Sequence, residues 1–269
     1  MVAKYPSFLE PNVWPTAHLP EFEGAFKELG RKVVEVGRLV AKQCDDYIES
    51  QVPGYEKGRF LKLLTESTTA KGRLLHYYPA DEVTKKMGAI AKSHDEEDGD
   101  SDFSDWCGWH NDHGSLTGLV PAMYMDREGN VVPNPDPSSG LYIRGRAGEL
   151  IKANVPAGLE DVLLFQIGET AQIHSGGLLQ ATPHAVRGAA GSASIGVSRE
   201  TFAVFMEPEY DGDMALPVGK TVADVQSGEA VKFLPNSVKT LASRWREGQD
   251  FGGFSEATFS TYYDDEAAK

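Results

Sequence analysis

From residue 115 to residue 207 this chain alternates between short apolar segments and turn residues. Short segments bounded by Gly, Pro, Asn and Ser are typical of β-strands, and the turn signals are strongest at 134–140 and 174–177. Many short strands at this spacing predict a β-sandwich or barrel. The predicted strands lie near residues 115–120, 141–146, 149–154, 162–166, 170–174, 179–186 and 194–207.

Helices are predicted on both sides of this β region. From residue 20 to residue 50, apolar side chains recur at three- and four-residue spacing, beginning with Phe22, while charged residues fill the other face. This period predicts one long amphipathic helix. Shorter elements are expected too: a helix at 56–65, a strand at 73–79 and a helix at 254–263.

The sequence contains no internal repeat and no long low-complexity segment, so one domain over residues 1–269 is the economical interpretation. We expect a mainly β protein with flanking helices. Its parts would be an N-terminal helical part at 1–69, a β core at 70–208 and a C-terminal loop and helix part at 209–269.

Composition limits the partners and the compartment. The formal net charge of −14 repels phosphate backbones, so nucleic acid is not an expected partner. No segment approaches the roughly 18 apolar residues that a membrane span needs, and the N-terminus lacks the apolar run of a signal peptide. Only Cys44 and Cys107 are present, too few for a disulfide framework, which favours the cytoplasm.

An acidic segment at 94–105 precedes the most distinctive motif of the chain. Its spaced aspartates resemble those of a calcium loop. However, Phe103 stands where that loop needs glycine, and Trp109 where it needs a bidentate glutamate. We interpret the segment as a solvated loop or one that gates a substrate entrance.

The motif itself is His110-Asn111-Asp112, followed far along the chain by His184. In an extended chain, side chains two positions apart point to the same side, so His110 and Asp112 share a face. Two histidines and one carboxylate form the ligand set of a mononuclear non-haem iron(II) oxygenase, with open positions for substrate and oxygen. Alone, a His-x-Asp pair is weak evidence, because most such pairs are ordinary surface or core residues.

A second pair indicates an anion site. Arg199 and Thr201 lie two apart on a predicted strand and therefore share a face. A guanidinium fork matches both oxygens of a carboxylate, and a neighbouring hydroxyl adds a further contact. Arg187 is the rival carboxylate binder, but it lies three residues from His184 and so faces the other way on a strand.

With these motifs in this order, the chain resembles the iron(II)/2-oxoglutarate-dependent dioxygenases, in the branch that includes isopenicillin N synthase and plant flavonoid oxygenases. The matching segments are 75–79, 109–117, 182–186 and 199–208, with a further likeness at 251–259. Together they are specific for the family, but they do not identify the substrate.

The resemblance implies a double-stranded β-helix, which is a distorted jelly roll. It further implies Fe(II) held by His110, Asp112 and His184, and 2-oxoglutarate bound by Arg199, Thr201 and Tyr78. Oxidation of a small molecule by O2 would then yield succinate and carbon dioxide. Two positions depart from the family pattern: Thr201 replaces the usual serine and His76 the usual asparagine.

Several alternatives stay open at this point. The same site would also suit desaturation or oxidative ring closure, and a non-catalytic β-barrel that binds a small molecule is a different class of answer. Arg73 either faces the pocket, where it would suit an acidic substrate, or forms a surface salt bridge. The other histidines are interpreted as non-ligands: His113 as a neighbour of the metal or a surface residue, and His18, His94 and His174 as solvated.

Overall fold

The computed structural model describes residues 2–79, 81–82, 106–155, 161–227 and 238–267. The acidic segment at 94–105, for which a gating role was one interpretation, lies outside the described residues. In the described part the helices are α1 (Phe22–Gln51), α2 (Arg59–Glu66), α3 (Glu169–His174), α4 (Val222–Ser227) and α5 (Phe251–Ala267). None of them is both long and apolar enough to cross a membrane.

The first two helices confirm the predictions from apolar spacing. Helix α1 buries Val33, Ala41 and Ile48. Asp45, on its predicted polar face, is instead buried, because its carboxylate accepts hydrogen bonds from the Phe60 and Leu61 amides at 2.9 and 2.8 Å. These amides open α2, whose first N–H groups have no partner within the helix, so Asp45 fixes the angle between the two helices.

In the described part of the chain, ten strands form two antiparallel sheets. The larger sheet has the order β5-β4-β10-β3-β8, with β1 on the other side of β10. Its strands are β1 (Lys71–Tyr77), β3 (Leu116–Leu119), β4 (Met123–Met125), β5 (Val131–Val132), β8 (Leu164–Ile167) and β10 (Ser198–Met206). The smaller sheet has the order β2-β9-β6-β7. It consists of β2 (Cys107–His110), β6 (Gly140–Arg144), β7 (Leu150–Lys152) and β9 (His184–Arg187).

The two faces of strand β10 have different neighbours. Its even-numbered residues Phe202, Val204 and Met206 join the apolar core that α1 covers. Helix α1 comes so close to the sheet that a Cβ added at Gly118 would lie 2.3 Å from a Val33 methyl carbon. The odd-numbered residues of β10 point away from α1, into the space that faces the smaller sheet.

Three sequence-based expectations differ from the structure. Residues 170–174, predicted as a strand, belong to α3. All six residues of this helix are buried, so its sequence shows none of the one-sided apolar spacing by which helices are recognised. The short hairpin strands β4 and β5 were not predicted, because each has only two or three residues. The last helix begins at Phe251 rather than at Phe254.

A candidate metal centre and anion pocket

The three predicted metal ligands come together at the inner edge of the smaller sheet. His110 ends β2 and His184 begins β9, and the two residues are directly opposite each other in the strand ladder. Asp112 follows β2 by two residues. One ligand atom from each side chain lies within 4.8 Å of the others, with His110 Nε2 and His184 Nε2 at 3.8 and 3.7 Å from Asp112 Oδ1.

Backbone carbonyls hold both imidazoles in the form that a metal needs. His110 Nδ1 lies 2.8 Å from the Gly108 carbonyl oxygen, and His184 Nδ1 lies 3.2 Å from that of Thr182. A carbonyl oxygen only accepts hydrogen bonds, so each Nδ1 carries the proton. In the neutral rings both Nε2 atoms then present lone pairs towards Asp112, which is the usual orientation of histidine ligands.

Asp112 supplies a test of whether a cation fits. The residue is 8% exposed, and its Oδ2 atom is buried without a hydrogen-bond partner in the described structure. An unpartnered buried oxygen on a charged group costs more than about 1–3 kcal/mol. A divalent cation between the two imidazoles and this carboxylate would remove that cost, so the three residues fit the iron(II) site that the sequence predicts.

The two imidazoles respond differently to their surroundings. Burial lowers the pKa of His184 to about 4, which keeps this ring neutral. Burial also opposes protonation of His110, but contact with Cys107 and the charge of Asp112 outweigh it and raise its pKa to about 9. A bound cation would favour the neutral form of both rings, because a histidine that ligates a metal must be deprotonated at the ligating nitrogen.

Helix α3 holds the loop at 111–115, which carries Asp112 and is called the metal loop below. The Glu169 amide donates to the Asp112 carbonyl at 2.8 Å, and the Thr170 hydroxyl donates to the His113 carbonyl at 2.6 Å. The approach requires glycine at position 168, because a Cβ there would lie 2.0 Å from the Gly114 carbonyl oxygen. The N-terminal end of α3 thus satisfies carbonyl groups that the metal loop would otherwise leave unpaired.

Behind this loop lies a buried ion pair that sequence reasoning missed. Arg244 donates to both oxygens of Glu169, at 2.5 and 2.8 Å, and both side chains are 1% exposed. Asn111 donates to the same carboxylate at 3.3 Å, which links the pair to the metal loop. The partners are 75 residues apart, and no sequence pattern indicates that such distant charges meet.

Between the sheets lies a cavity of about 360 Å³, and the triad and Arg199 both line it. Arg199 is 7% exposed, and its Nε and Nη1 atoms are buried without hydrogen-bond partners in the described structure. Its guanidinium lies 5.0 Å from the centre of the Tyr77 ring. A buried guanidinium with two donors that have no protein partner is well suited to bind a carboxylate.

Two other predicted contacts of 2-oxoglutarate are placed differently. The Thr201 hydroxyl lines the cavity but donates to the Val120 carbonyl at 2.8 Å, so towards a ligand it is an acceptor. Tyr78 is 46% exposed and is not among the described residues that line the cavity. The strand register explains this: Tyr77 is directly opposite Arg199, so Tyr77 faces the cavity and the next side chain faces away.

Of the remaining candidates, Arg73 alone is among the described residues that line the cavity. Arg187 is not among the described residues that line the cavity. Arg73 does line it, which agrees with the first of its two predicted positions, facing the pocket. His113 stacks against Phe251 at 5.6 Å, and burial lowers its pKa to about 4. The prediction of a solvated His174 is wrong: this side chain is buried in α3, where Nε2 lies 2.9 Å from the Asp213 carbonyl oxygen.

Among the comparisons with known proteins, the solved structures show a similar fold. No protein-family model matches the sequence, and no curated protein matches it. Among solved structures, a Caulobacter crescentus protein assigned to the 2OG-Fe(II) oxygenase family aligns with a TM-score of 0.60 at 19% identity, covering 96% of this chain and 65% of that one. The fold is that of the 2OG-Fe(II) oxygenases.

A second similar structure is a full-length Neurospora crassa protein in complex with alpha-KG, with a TM-score of 0.59 at 19% identity. The alignment covers 93% of this chain and 61% of that protein. A crystal structure of the same protein with alpha-KG and thymine aligns with a TM-score of 0.53 at 18% identity. The chain therefore spans somewhat less than two thirds of the length of these proteins, and the likeness concerns the fold.

Proposed function

We propose that this protein is an iron(II)- and 2-oxoglutarate-dependent oxygenase that hydroxylates a small organic molecule. In the overall reaction, substrate, 2-oxoglutarate and O2 are converted to hydroxylated substrate, succinate and carbon dioxide. One oxygen atom enters the substrate and the other enters succinate. The similar solved structures, two of which contain alpha-KG, support the choice of cosubstrate.

The observation that carries the proposal is the pairing of two incomplete sites in one cavity. Among the described residues, Asp112 has a buried oxygen without a hydrogen-bond partner, and Arg199 has two such buried nitrogens. A cation would partner the first and an anion the second. A keto acid on a divalent metal satisfies both, because one end of the molecule can bind the metal while the distal carboxylate reaches the guanidinium.

In this proposal His110, Asp112 and His184 hold the iron. Bound iron(II) would supply the electrons and the oxygen chemistry that side chains lack. The residues of this chain position the reactants. Arg199 orients the cosubstrate, and apolar residues of the cavity wall, such as Leu119 and Leu164, keep water from the reacting groups.

The finer expectations from the sequence remain part of the proposal. These are the isopenicillin N synthase-like branch, closure of the two sheets into a distorted jelly roll, and a single oxygenase domain over residues 1–269. Binding of 2-oxoglutarate by Thr201 and Tyr78 is kept as well, although Tyr77 is better placed than Tyr78 in the structure described. The cytoplasm remains the proposed compartment, since Cys44 and Cys107 are both free thiols.

Oxygen uptake and succinate formation test the proposal. The purified chain is supplied with Fe(II), 2-oxoglutarate and O2, and the iron content is measured in parallel. We expect slow succinate formation even without the primary substrate, and its loss in Asp112→Ala and His184→Ala together with loss of bound iron. The matched control is His18→Ala, because His18 is an exposed histidine that is not among the residues lining the cavity.

Each alternative has its own outcome in this experiment. A non-catalytic binding protein would bind 2-oxoglutarate without forming succinate, and wild-type turnover in either triad variant would refute the metal assignment. Desaturation or ring closure would form succinate normally but leave no new oxygen atom in the organic product. Mass spectrometry of the product made under isotopically labelled O2 therefore distinguishes these reactions from hydroxylation.

A further inference from the structure

The wall of the cavity carries a second arginine that the binding of 2-oxoglutarate does not use. Arg73 lies on β1, on the same face as Leu75 and Tyr77, and lines the cavity. Its guanidinium lies 4.9 Å from the centre of the Phe205 ring. Stacking on an aromatic face holds a guanidinium in place while leaving its in-plane N–H donors available.

The two arginines serve different ends of the cavity. Arg199 stacks on Tyr77 and Arg73 on Phe205. The strand register places Arg73 opposite Ala203, four residues along β10 from Arg199, and at about 3.4 Å per residue the two backbone positions are roughly 14 Å apart. If one end of 2-oxoglutarate binds the metal and its distal carboxylate binds Arg199, Arg73 is left for another ligand.

The Phe205 end of the cavity is also the end next to the metal loop. The Ser115 amide, three residues after Asp112, donates to the carbonyl of Met206 at 2.9 Å. If 2-oxoglutarate extends from the metal towards Arg199, the Phe205 end of the cavity remains for the substrate. Arg73, opposite Ala203 in the register, lies nearer to that end than Arg199 does.

Among the described residues, the cavity wall offers Arg73 no carboxylate that the metal would not take. Among the described residues that line the cavity, Asp112 is the one carboxylate, and the metal would take it. The nearby Glu207 is buried and already paired with Lys71 at 3.0 Å. With the metal and both arginines counted against Asp112 and a doubly charged keto acid, one positive charge remains, in a protein whose overall charge is −14.

We propose that the primary substrate is a small organic carboxylate whose anionic group is bound by Arg73 and whose apolar body lies between the sheets. The proposal rests on the oxygenase function proposed above. Leu75, Leu119, Leu164 and Ala203 supply apolar surface next to the arginine. A volume of about 360 Å³, which must also hold the cosubstrate, restricts the substrate to a small molecule.

Binding of matched acids and amides tests this without depending on turnover. The chain is loaded anaerobically with Fe(II) and saturating 2-oxoglutarate and titrated calorimetrically. The probes are phenylacetate, 3-phenylpropionate and hexanoate, each compared with its own primary amide. We expect at least one acid to bind about tenfold or more tightly than its amide, because a charge-assisted hydrogen bond is lost in the amide.

Variants then assign the preference to Arg73. In Arg73→Gln the acid and its amide should bind with similar affinity, and Arg73→Lys should keep part of the preference because it keeps the charge. Phe205→Leu should weaken it, because the guanidinium loses its stacking surface. Arg31→Gln, an exposed arginine on α1 that does not line this cavity, should keep the full preference.

The outcomes separate this proposal from the proposed function. Failure of the wild-type chain to bind 2-oxoglutarate with Fe(II) would refute the oxygenase function itself. Normal binding of 2-oxoglutarate, with no acid bound or with acids and amides bound equally, would refute only the carboxylate substrate. Retention of the acid preference in Arg73→Gln would also overturn the assignment to this arginine.

Discussion

Arg244 and Arg199 are almost equally hidden from solvent, with 3% and 7% of the whole residue exposed, but their surroundings are opposite. Behind the metal loop, Arg244 makes at least four hydrogen bonds, to Glu169, Thr258 and the Lys239 carbonyl. In the cavity, two of the nitrogens of Arg199 have no partner in the described structure. Burying a charge without partners is costly. The difference in hydrogen-bond partners therefore indicates that Arg244 has a structural role and that Arg199 binds a ligand.

The comparison explains how the site can be rigid and receptive at once. The charges behind the metal loop are neutralised within the protein, and they hold Asn111 and the carbonyl groups of the loop in place. The charges inside the cavity are left for metal, cosubstrate and substrate to neutralise. A binding site that is positioned in advance loses less free energy to ordering when its ligands arrive.

The largest expected effect comes from removing the partnered arginine. Arg244→Met leaves the buried Glu169 carboxylate without its cation, which typically costs about 3–5 kcal/mol. Because Glu169 also holds the metal loop through Asn111, affinity for iron should fall as well. Urea unfolding and a titration with Fe(II) measure the two losses. An unchanged free energy of unfolding would contradict the structural role of the pair.

A double variant serves as the control for that experiment. Replacing Glu169 and Arg244 together by Gln and Met removes the charges as a pair, and no unpaired carboxylate remains. We expect this variant to recover part of the lost stability, because the cost of the single change is mainly that of an uncompensated charge.

The second prediction concerns the unpartnered arginine. Arg199→Gln should change the free energy of unfolding little, because neither Nε nor Nη1 donates a hydrogen bond within the described structure. It should weaken 2-oxoglutarate binding by about tenfold to a hundredfold, which corresponds to about 1.5–3 kcal/mol. Calorimetric titration with 2-oxoglutarate measures this. The control is Arg187→Gln, and a larger effect there than at Arg199 would show that the anion site had been assigned to the wrong arginine.

Sequence reasoning succeeded where a local rule was enough. Residues two apart on a strand share a face, so the common face of His110 and Asp112, and that of Arg199 and Thr201, could be predicted from the chain alone. Long apolar periodicity likewise predicted α1 to within two residues at each end.

It failed where the outcome depends on distant parts of the chain. Tyr77 and Tyr78 are adjacent, and only the pairing of β1 with β10 decides which one faces the cavity. The burial of α3 depends on the loop and the C-terminal segment around it, and the pairing of Glu169 with Arg244 joins residues 75 positions apart. Neither feature leaves a periodic trace in the sequence.

The third prediction concerns His174, a buried base that, unlike arginine, can lose its charge. Burial lowers the pKa of His174 to about 3, whereas the unfolded chain has a histidine pKa of about 6.5. Below about pH 6.5 the unfolded state binds a proton that the folded state does not, so stability falls as the pH falls. The loss of stability is about 1.4 kcal/mol per pH unit between the two pKa values, and there is no loss above about pH 6.5.

Urea unfolding between pH 7 and pH 5 measures this contribution as a difference between variants. His174→Gln should flatten the decline in stability relative to the wild type, whereas His18→Gln, at an exposed histidine, should not. Equal slopes in all three proteins would show that His174 is not held neutral by burial.

The smallest effect is expected at Asn111, where the two regions meet. Its amide nitrogen donates to Glu169 at 3.3 Å, a long hydrogen bond, while its Oδ1 atom is buried without a partner in the described structure. Asn111→Ala removes both groups, so the net loss of stability should not exceed about 1 kcal/mol. Its neighbour Asp112 would, however, lose part of its support. We therefore expect iron affinity to fall severalfold while the free energy of unfolding changes little.

Two outcomes of the Asn111→Ala experiment would change this interpretation. A loss of stability as large as that of Arg244→Met would show that the metal loop and the ion pair form one unit. Unchanged iron affinity would show that they are independent.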